Sequence, residues 1–191
     1  MWLAHIPGLK VVVPATPADA KGLLTSCIFD DDPCVFIENV ALYGTRGPVP
    51  EGDHRVPLGK ATVARPGRDV TLVTYGRTVR DALAAAEQLA TEGVEVEVVD
   101  LRSLVPFDAE CVLASAARTR RVVVAHHATR FAGFGAEVAA MVGEELFGTL
   151  EAPVRRVGAS FTPIGAAASL EAAVMPSVTS LVEAVRSVTA R

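Results

Sequence analysis

The chain has 191 residues, half of them hydrophobic, and a formal net charge of −4 at neutral pH. This length suits one large domain, or one modest domain with an attached piece, and supplies enough apolar side chains for a sizeable core. With 18 basic against 22 acidic residues, the sequence gives no positive surface of the kind that nucleic-acid-binding proteins use.

The first 43 residues predict one β-α-β unit. Residues 10–14 form an apolar run typical of a buried strand, and Thr16 is placed to cap a helix that has Pro17 in its first turn. A second strand is predicted at 34–38. Because one such unit cannot bury both faces of its sheet, we expect residues 1–43 to be the end of a larger domain.

Glycine and proline punctuate residues 44–68, which predicts a linker with one short strand near 61–64. The main domain is predicted at 69–191, where strands alternate with helices. We expect strands at 70–75, 94–101, 121–125 and 154–157, and helices at 78–91, 108–118, 133–147 and from 177 onward. This alternation predicts an α/β fold, a three-layer α/β/α sandwich around a mostly parallel sheet, preceded by the partial β-α-β unit.

The stretch 94–108 organises this pattern. Its alternation of valines with Glu95 and Glu97 predicts a strand that begins half solvated and then enters the core. A polar exit loop follows, and Asp108 is placed to cap the next helix. In a parallel sheet such an exit often carries a site, so the stretch is a candidate site or a scaffold.

Two further motifs have competing interpretations. Gly133 and Gly135 open a helix after a strand, as in a dinucleotide-binding loop, but the third position is Val138 and close packing explains the glycines as well. His126 and His127 are neighbours on a strand and point to opposite faces, so hydrogen-bonded histidines are favoured over a shared metal site.

The acidic turn, defined as residues 30–33 with three aspartates and a proline, follows a predicted helix end. Carboxylates and unpartnered helix-end carbonyls together are suited to a hard cation. A solvated turn in which the aspartates accept main-chain hydrogen bonds is an equal alternative.

Six segments carry a resemblance to a known family. They are residues 5–24, 30–38, 100–108, 132–137, 151–155 and 170–177, in that order. Together they strongly resemble the beta subunit of the thiamine-diphosphate-dependent component of 2-oxo acid dehydrogenase complexes, of the pyruvate and branched-chain type.

The resemblance implies three parts: residues 1–43 as the last strands of a thiamine-pyrimidine-binding domain, 44–68 as the linker, and 69–191 as a transketolase C-terminal domain. The family's activating glutamate, stacking aromatic residue and catalytic histidine would lie upstream of Met1. We therefore expect no catalytic and no thiamine-binding residue in this chain, and expect Met1 to interrupt a domain.

The resemblance also implies a structural potassium ion, held by main-chain carbonyls at Cys27, Ile28, Asp30 and Asp32. Thiamine diphosphate and Mg²⁺ are implied as cofactors of the intact enzyme, which decarboxylates a 2-oxo acid and passes the acyl group to lipoyl-lysine. The segment would supply scaffold and docking surfaces in a heterotetramer, with an alpha subunit, a second beta subunit and a dihydrolipoamide acyltransferase core as partners.

The chain departs from the family at three places. His127 stands where an acidic residue is usual, Ala132 stands where glycine is usual, and 160–165 lacks an aspartate before its Thr-Pro pair. Two other hypotheses are a non-catalytic assembly module expressed as a short chain and a dinucleotide-binding domain.

Three cysteines without a Cys-x-x-Cys pair predict buried free thiols in a reducing compartment. The sequence shows no apolar run of about 20 residues and no cationic, apolar signal at its start. We expect a soluble, cytoplasmic protein without a membrane or nucleic-acid partner.

Overall fold

The structure is a computed structural model that describes residues 2–190. Its strands are β1 Lys10–Val12, β2 Cys34–Phe36, β3 Thr62–Arg65, β4 Val70–Thr74, β5 Val96–Asp100, β6 Ser103–Val105, β7 Val122–Thr129 and β8 Arg155–Ala159. Its α-helices are α1 Pro17–Ile28, α2 Thr78–Ala90, α3 Ala109–Thr119, α4 Phe134–Glu145, α5 Ala168–Val174 and α6 Val178–Thr189. Leu3–His5 and Val40–Leu42 are short 3₁₀ turns.

The larger sheet has the order β3-β5-β4-β7-β8, in which β3 is antiparallel and the other four strands are parallel. Helices α2 and α6 pack on one face and α3 and α4 on the other. All five residues of β4 are buried, as expected for a central strand covered on both faces. The predicted three-layer α/β/α sandwich is confirmed.

The smaller sheet has the order β2-β1-β6, so it joins the N-terminal unit to the main domain. Residues 103–105, predicted to lie in an exit loop, are wrongly assigned by the sequence pattern because they form β6 antiparallel to β1. The amide of Val13 extends this junction by donating to the carbonyl of Arg102 at 2.8 Å. One edge of β1 is therefore covered from within the chain.

The prediction that Glu97 is solvated is also wrong, because its side chain is buried. The Arg118 guanidinium forms an ion pair with it. The Thr71 hydroxyl donates to Glu97 Oε1 at 3.3 Å. A charge on the inner face of a strand is tolerated when a cation and a hydrogen bond compensate it.

The helix predicted from 177 onward is α6, and α5 before it was not predicted. Ala168–Thr189 is long and apolar enough, by length and composition alone, to cross a membrane. It is divided at Met175–Ser177 into α5 and α6, and α6 is capped by Ser177. The apolar face of α6 belongs to the core, with Leu181, Val182, Val185 and Val188 buried.

Candidate functional site at the sheet junction and the acidic turn

The exit of β5 is organised by Arg102, whose backbone has a left-handed φ of 56°. Its guanidinium donates to Asp19 Oδ1 at 3.0 Å, to the Lys60 carbonyl at 3.2 Å and to the Ala61 carbonyl at 3.0 Å. These partners belong to α1 and to the segment before β3. Arg102 therefore ties the N-terminal unit and the linker to the main domain.

Asp108 reinforces the same junction. Its carboxylate accepts from the Cys111 amide at 3.2 Å, which caps α3, and from the Ala61 amide, also at 3.2 Å. The Lys60 ammonium lies 3.7 Å from it. The prediction that Asp108 caps the helix is confirmed, and its second contact fixes the linker. The exit of β5 is therefore a structural junction.

Asp100 lies at the end of β5 and is buried. The pKa of its carboxyl is raised to about 7, chiefly by burial and also by the charge of Asp19. The Arg102 amide donates to Asp100 Oδ1 at 3.0 Å and, with the guanidinium charge, acts in the opposite direction. A carboxyl of this kind couples the stability of the junction to pH.

Sequence reasoning missed Asp19 as a member of this junction. It placed Asp19 in the first turn of a helix, where a carboxylate is common, and nothing local indicated an arginine 83 residues away. The side chains of Arg102 and Asp19 are only 16% and 11% exposed, so the pair is largely removed from water. The residue type at position 102 also gives no indication that the backbone there adopts a left-handed φ.

The acidic turn accommodates a lysine. The Lys10 ammonium lies 2.6 Å from Asp30 Oδ1 and 3.0 Å from Asp32 Oδ2. Asp30 Oδ1 also accepts from the Asp32 amide at 2.9 Å, and the Lys10 hydrogen bond lowers the pKa of Asp30. The aspartate carboxylates therefore bind a lysine and a main-chain amide. This agrees with the hydrogen-bonded acidic turn and not with a site in which the carboxylates bind a metal.

Main-chain carbonyl oxygens at the end of α1 and in the acidic turn are of a kind that can bind a monovalent cation. From 2 to 190, no described group donates a hydrogen bond to the carbonyls of Cys27, Ile28 and Asp30, whereas the Asp32 carbonyl accepts from the Cys34 thiol at 3.6 Å. Free helix-end carbonyls are hard oxygen ligands. Within the described part of the chain, no group of three or more His, Cys, Asp or Glu side chains is placed to hold a metal. The potassium site stays a prediction that rests on carbonyl oxygens.

The two histidines lie within β7, which is longer than predicted. His126 is buried, stacks on Tyr75 with ring centroids 5.8 Å apart, and lies 3.0 Å from the Ala128 carbonyl through Nδ1. Burial lowers its pKa, so the ring is neutral near pH 7. His127 faces α2, where Nε2 lies 3.3 Å from Asp81 Oδ2. Their opposite directions agree with the predicted pair of hydrogen-bonded histidines.

The paired glycines have a packing role. A Cβ on Gly135 would lie 2.7 Å from His126 Nε2, and one on Gly133 would lie 2.6 Å from its Cε1. The start of α4 therefore approaches the buried histidine more closely than any side chain permits. This contact explains the glycines without a dinucleotide.

The chain matches the sequence models of two protein families. Residues 59–181 match the transketolase C-terminal domain, and residues 1–45 match the transketolase pyrimidine-binding domain. The predicted boundaries at 43 and 68 remain predictions.

Comparisons with individual proteins give relatives of one kind. The chain is 45% identical to the beta subunit of acetoin:2,6-dichlorophenolindophenol oxidoreductase from Cupriavidus necator over 95% of its own length and 54% of the relative's. It is 48% identical to the pyruvate dehydrogenase E1 component subunit beta of Staphylococcus epidermidis over 84% of this chain and 50% of the relative. The mitochondrial subunit of Drosophila melanogaster is 45% identical over 96% of this chain and 52% of the relative.

A solved structure supports the same assignment. A split-gene transketolase, described as an inactive beta4 tetramer, superposes with a TM-score of 0.81 at 29% identity, over 98% of this chain and 60% of that one. The chain spans about half the length of the curated relatives that it matches. With the fold and the family match in agreement, the chain belongs to the transketolase C-terminal domain family and is similar, over nearly all of its length, to beta subunits of pyruvate and acetoin dehydrogenases.

Proposed function

We propose that this chain forms the C-terminal part of the beta subunit of a 2-oxo acid dehydrogenase complex, in its decarboxylase component. The observation that carries the proposal is the identity of 48% and 45% to two pyruvate dehydrogenase beta subunits over 84% and 96% of the chain. The intact enzyme would oxidatively decarboxylate a 2-oxo acid and transfer the acyl group to lipoyl-lysine.

The role proposed for this segment is scaffold, dimer surface and partner docking, and we expect it to be inactive alone. The contacts of Arg102 with Asp19, Lys60 and Ala61 support the scaffold role. They hold the end of one domain and the linker against the next domain, as a rigid multidomain subunit requires.

The proposed cofactors are thiamine diphosphate with Mg²⁺ in the intact enzyme and a structural potassium ion. Thiamine diphosphate, when bound, supplies the electron sink that lets carbon dioxide leave. Potassium would bind the main-chain carbonyls of Cys27, Ile28, Asp30 and Asp32. The carbonyls of the first three, which accept no hydrogen bond from any described residue, support this assignment.

The proposed partners are an alpha subunit, a second beta subunit and a dihydrolipoamide acyltransferase core, in a heterotetrameric component in the cytoplasm. Exposed apolar side chains on the N-terminal unit support the association, since Ile28 is 68% and Phe29 66% exposed. Contiguous apolar surface of this kind is typical of an interface. The free cysteines support a reducing compartment.

A second candidate is the equivalent subunit of an acetoin-oxidising enzyme. The 45% identity to the Cupriavidus necator subunit over 95% of this chain favours it. Because we place the thiamine site and the substrate pocket in the other half of the beta subunit and in the alpha subunit, this segment would serve either substrate. A short-chain assembly module is the third candidate. DNA upstream of Met1 that continues in frame into a thiamine domain would exclude it.

A chimeric enzyme tests the proposal. In the Staphylococcus epidermidis beta subunit, the segment that aligns with this chain is replaced by it, and the chimera is purified with the matching alpha subunit. We expect assembly and pyruvate-dependent reduction of 2,6-dichlorophenolindophenol, with pyruvate preferred over acetoin because the other half selects the substrate. A folded chimera that fails to bind the alpha subunit would contradict the proposal, and the unaltered beta subunit is the control.

A further inference from the structure

The larger sheet has a topological switch point between β4 and β7. The chain passes from β4 to β5 on one side, then returns through α3 to place β7 on the other side of β4. Connections that leave a sheet in opposite directions open a crevice at the carboxyl ends of the two strands. In open α/β sheets this crevice is the usual ligand position, whatever the family.

A cleft of about 390 Å³ lies at this position. Arg77, three residues after the end of β4, and His127, near the end of β7, both line it. The apolar part of the lining comes from α5, the turn after it and the start of α6, which contribute Ala168, Ala172, Met175, Pro176 and Val178 beside the polar Glu171 and Ser177. The volume falls within the range of about 300–1,000 Å³ that small-molecule sites occupy.

Arg77 carries an unmet hydrogen-bonding capacity. Its Nε is buried and, across residues 2–190, has no hydrogen-bond partner. The start of α2 contributes little to this, because the Val79 and Arg80 amides already donate to the carbonyls of Gly76 and Arg77, each at 3.1 Å. An arginine that lines a cleft and pairs with no carboxylate among the described residues is suited to bind an anion.

The other charges of the cleft leave Arg77 as the anchor. Asp81 is engaged by His127, with Oδ2 and Nε2 3.3 Å apart. Glu171 lies exposed on α5, where solvent screens its charge. An anion at Arg77 would therefore meet no unpaired buried carboxylate among the described residues of the cleft.

We propose that this cleft binds a small organic anion with an apolar body, its carboxylate or phosphate at the Arg77 guanidinium, and its apolar part on α5 and the start of α6. The site is separate from the junction around Arg102 and from the acidic turn. It is also independent of the function proposed above, because it uses only residues of the main domain.

Calorimetric titration of the full chain tests this with three probes that share one branched apolar group: isocaproate, isoamyl phosphate and isoamyl alcohol. We expect at least one of the two anions to bind and the neutral alcohol to bind at least tenfold more weakly. The stronger of the two anions identifies the headgroup as carboxylate or phosphate. Binding of neither anion, or equal binding of the alcohol, would overturn the proposal.

Variants locate the site. Arg77→Ala removes the charge and the guanidinium donors and should weaken anion binding about tenfold or more. Arg80→Ala removes an exposed arginine of the same helix and should leave binding within about twofold. Ala172→Phe fills the apolar side from an exposed helix position and should also weaken binding. Circular dichroism confirms that each variant is folded, and unchanged binding in both Arg77→Ala and Ala172→Phe would overturn the assignment.

Discussion

The Arg102 guanidinium and the Asp19 carboxylate, 83 residues apart in sequence, lie 3.0 Å apart in a largely buried ion pair. Arg102→Ala leaves the Asp19 carboxylate without its cation and also removes the donors to Lys60 and Ala61. Breaking a buried pair on one side costs about 3–5 kcal/mol. We expect a loss of that order in the free energy of unfolding, measured by urea denaturation.

The control for this variant is Arg186→Ala, which breaks the ion pair between Arg186 and Glu92. Both of its side chains are more than a third exposed, so the cost should be at most about 1 kcal/mol. Equal losses of unfolding free energy in the two variants would show that the Arg102–Asp19 pair stabilises the fold no more than an exposed ion pair does.

Asp100 predicts a pH dependence. Since burial raises its pKa to about 7, the folded protein binds a proton that the unfolded chain releases near its ordinary pKa of 3.8. Its contribution is therefore most favourable below the ordinary pKa and is lost as pH rises toward 7, at up to about 1.4 kcal/mol per pH unit. Asp100→Asn removes this term and keeps an oxygen that can accept from the Arg102 amide.

The difference in unfolding free energy between wild type and Asp100→Asn isolates this carboxyl from the others. We expect the variant to gain stability relative to wild type as pH rises from 4 to 7, and the difference to level off above 7. A difference that stays constant across that range would contradict the burial argument.

Gly135 predicts a steric effect. In Gly135→Ala the new Cβ would lie 2.7 Å from the ring of His126, which is buried against Tyr75 and has little room to move. Overpacking of this kind costs about 1–3 kcal/mol. Gly143→Ala, on the same helix with nothing within 4 Å of its Cβ, should instead stabilise the protein by up to about 1 kcal/mol. Thermal denaturation of the two variants gives opposite shifts, and shifts of the same sign would contradict the packing role.

A bound potassium ion would make the melting temperature depend on which salt is present. If the helix-end carbonyls at Cys27 and Ile28 bind the ion, then a concentration ten times the dissociation constant stabilises the fold by about 1.4 kcal/mol. Melting temperatures in KCl and NaCl are compared at equal ionic strength, so that screening of Lys10 and Asp30 is matched. A higher value in KCl supports the site, and identical curves count against it.

Association is predicted from α1. Leu24 and Ile28 lie one turn apart and are 43% and 68% exposed. We expect light scattering to show dimers or larger species at micromolar concentration, and Leu24→Glu with Ile28→Glu to shift them toward monomer. Phe147→Glu, at a 92% exposed site beyond α4, is the control for added charge. A wild-type monomer over this concentration range would remove the prediction.

Much of the fold follows from local pattern. The alternation of apolar strands and amphipathic helices from 69 onward predicts the layers, because Val79, Ala82 and Leu89 repeat at helical spacing and are buried together. The cap at Asp108 follows from its residue type. These features depend on neighbours in sequence, so sequence reports them well.

The junction could not be predicted in the same way. β6 pairs with β1 across roughly 90 residues, and Glu97 is buried only because Arg118 and Thr71 reach it from other elements. Such long-range pairs leave no periodicity in the sequence. The family resemblance predicts a scaffold role for the segment, and the structure shows which residues join its parts.

We propose that this segment is a scaffold without a thiamine site of its own. The most direct measurement is calorimetric titration of the purified chain with thiamine diphosphate and Mg²⁺. We expect no binding heat beyond dilution at concentrations up to hundreds of micromolar. Saturable binding with a micromolar dissociation constant would contradict it.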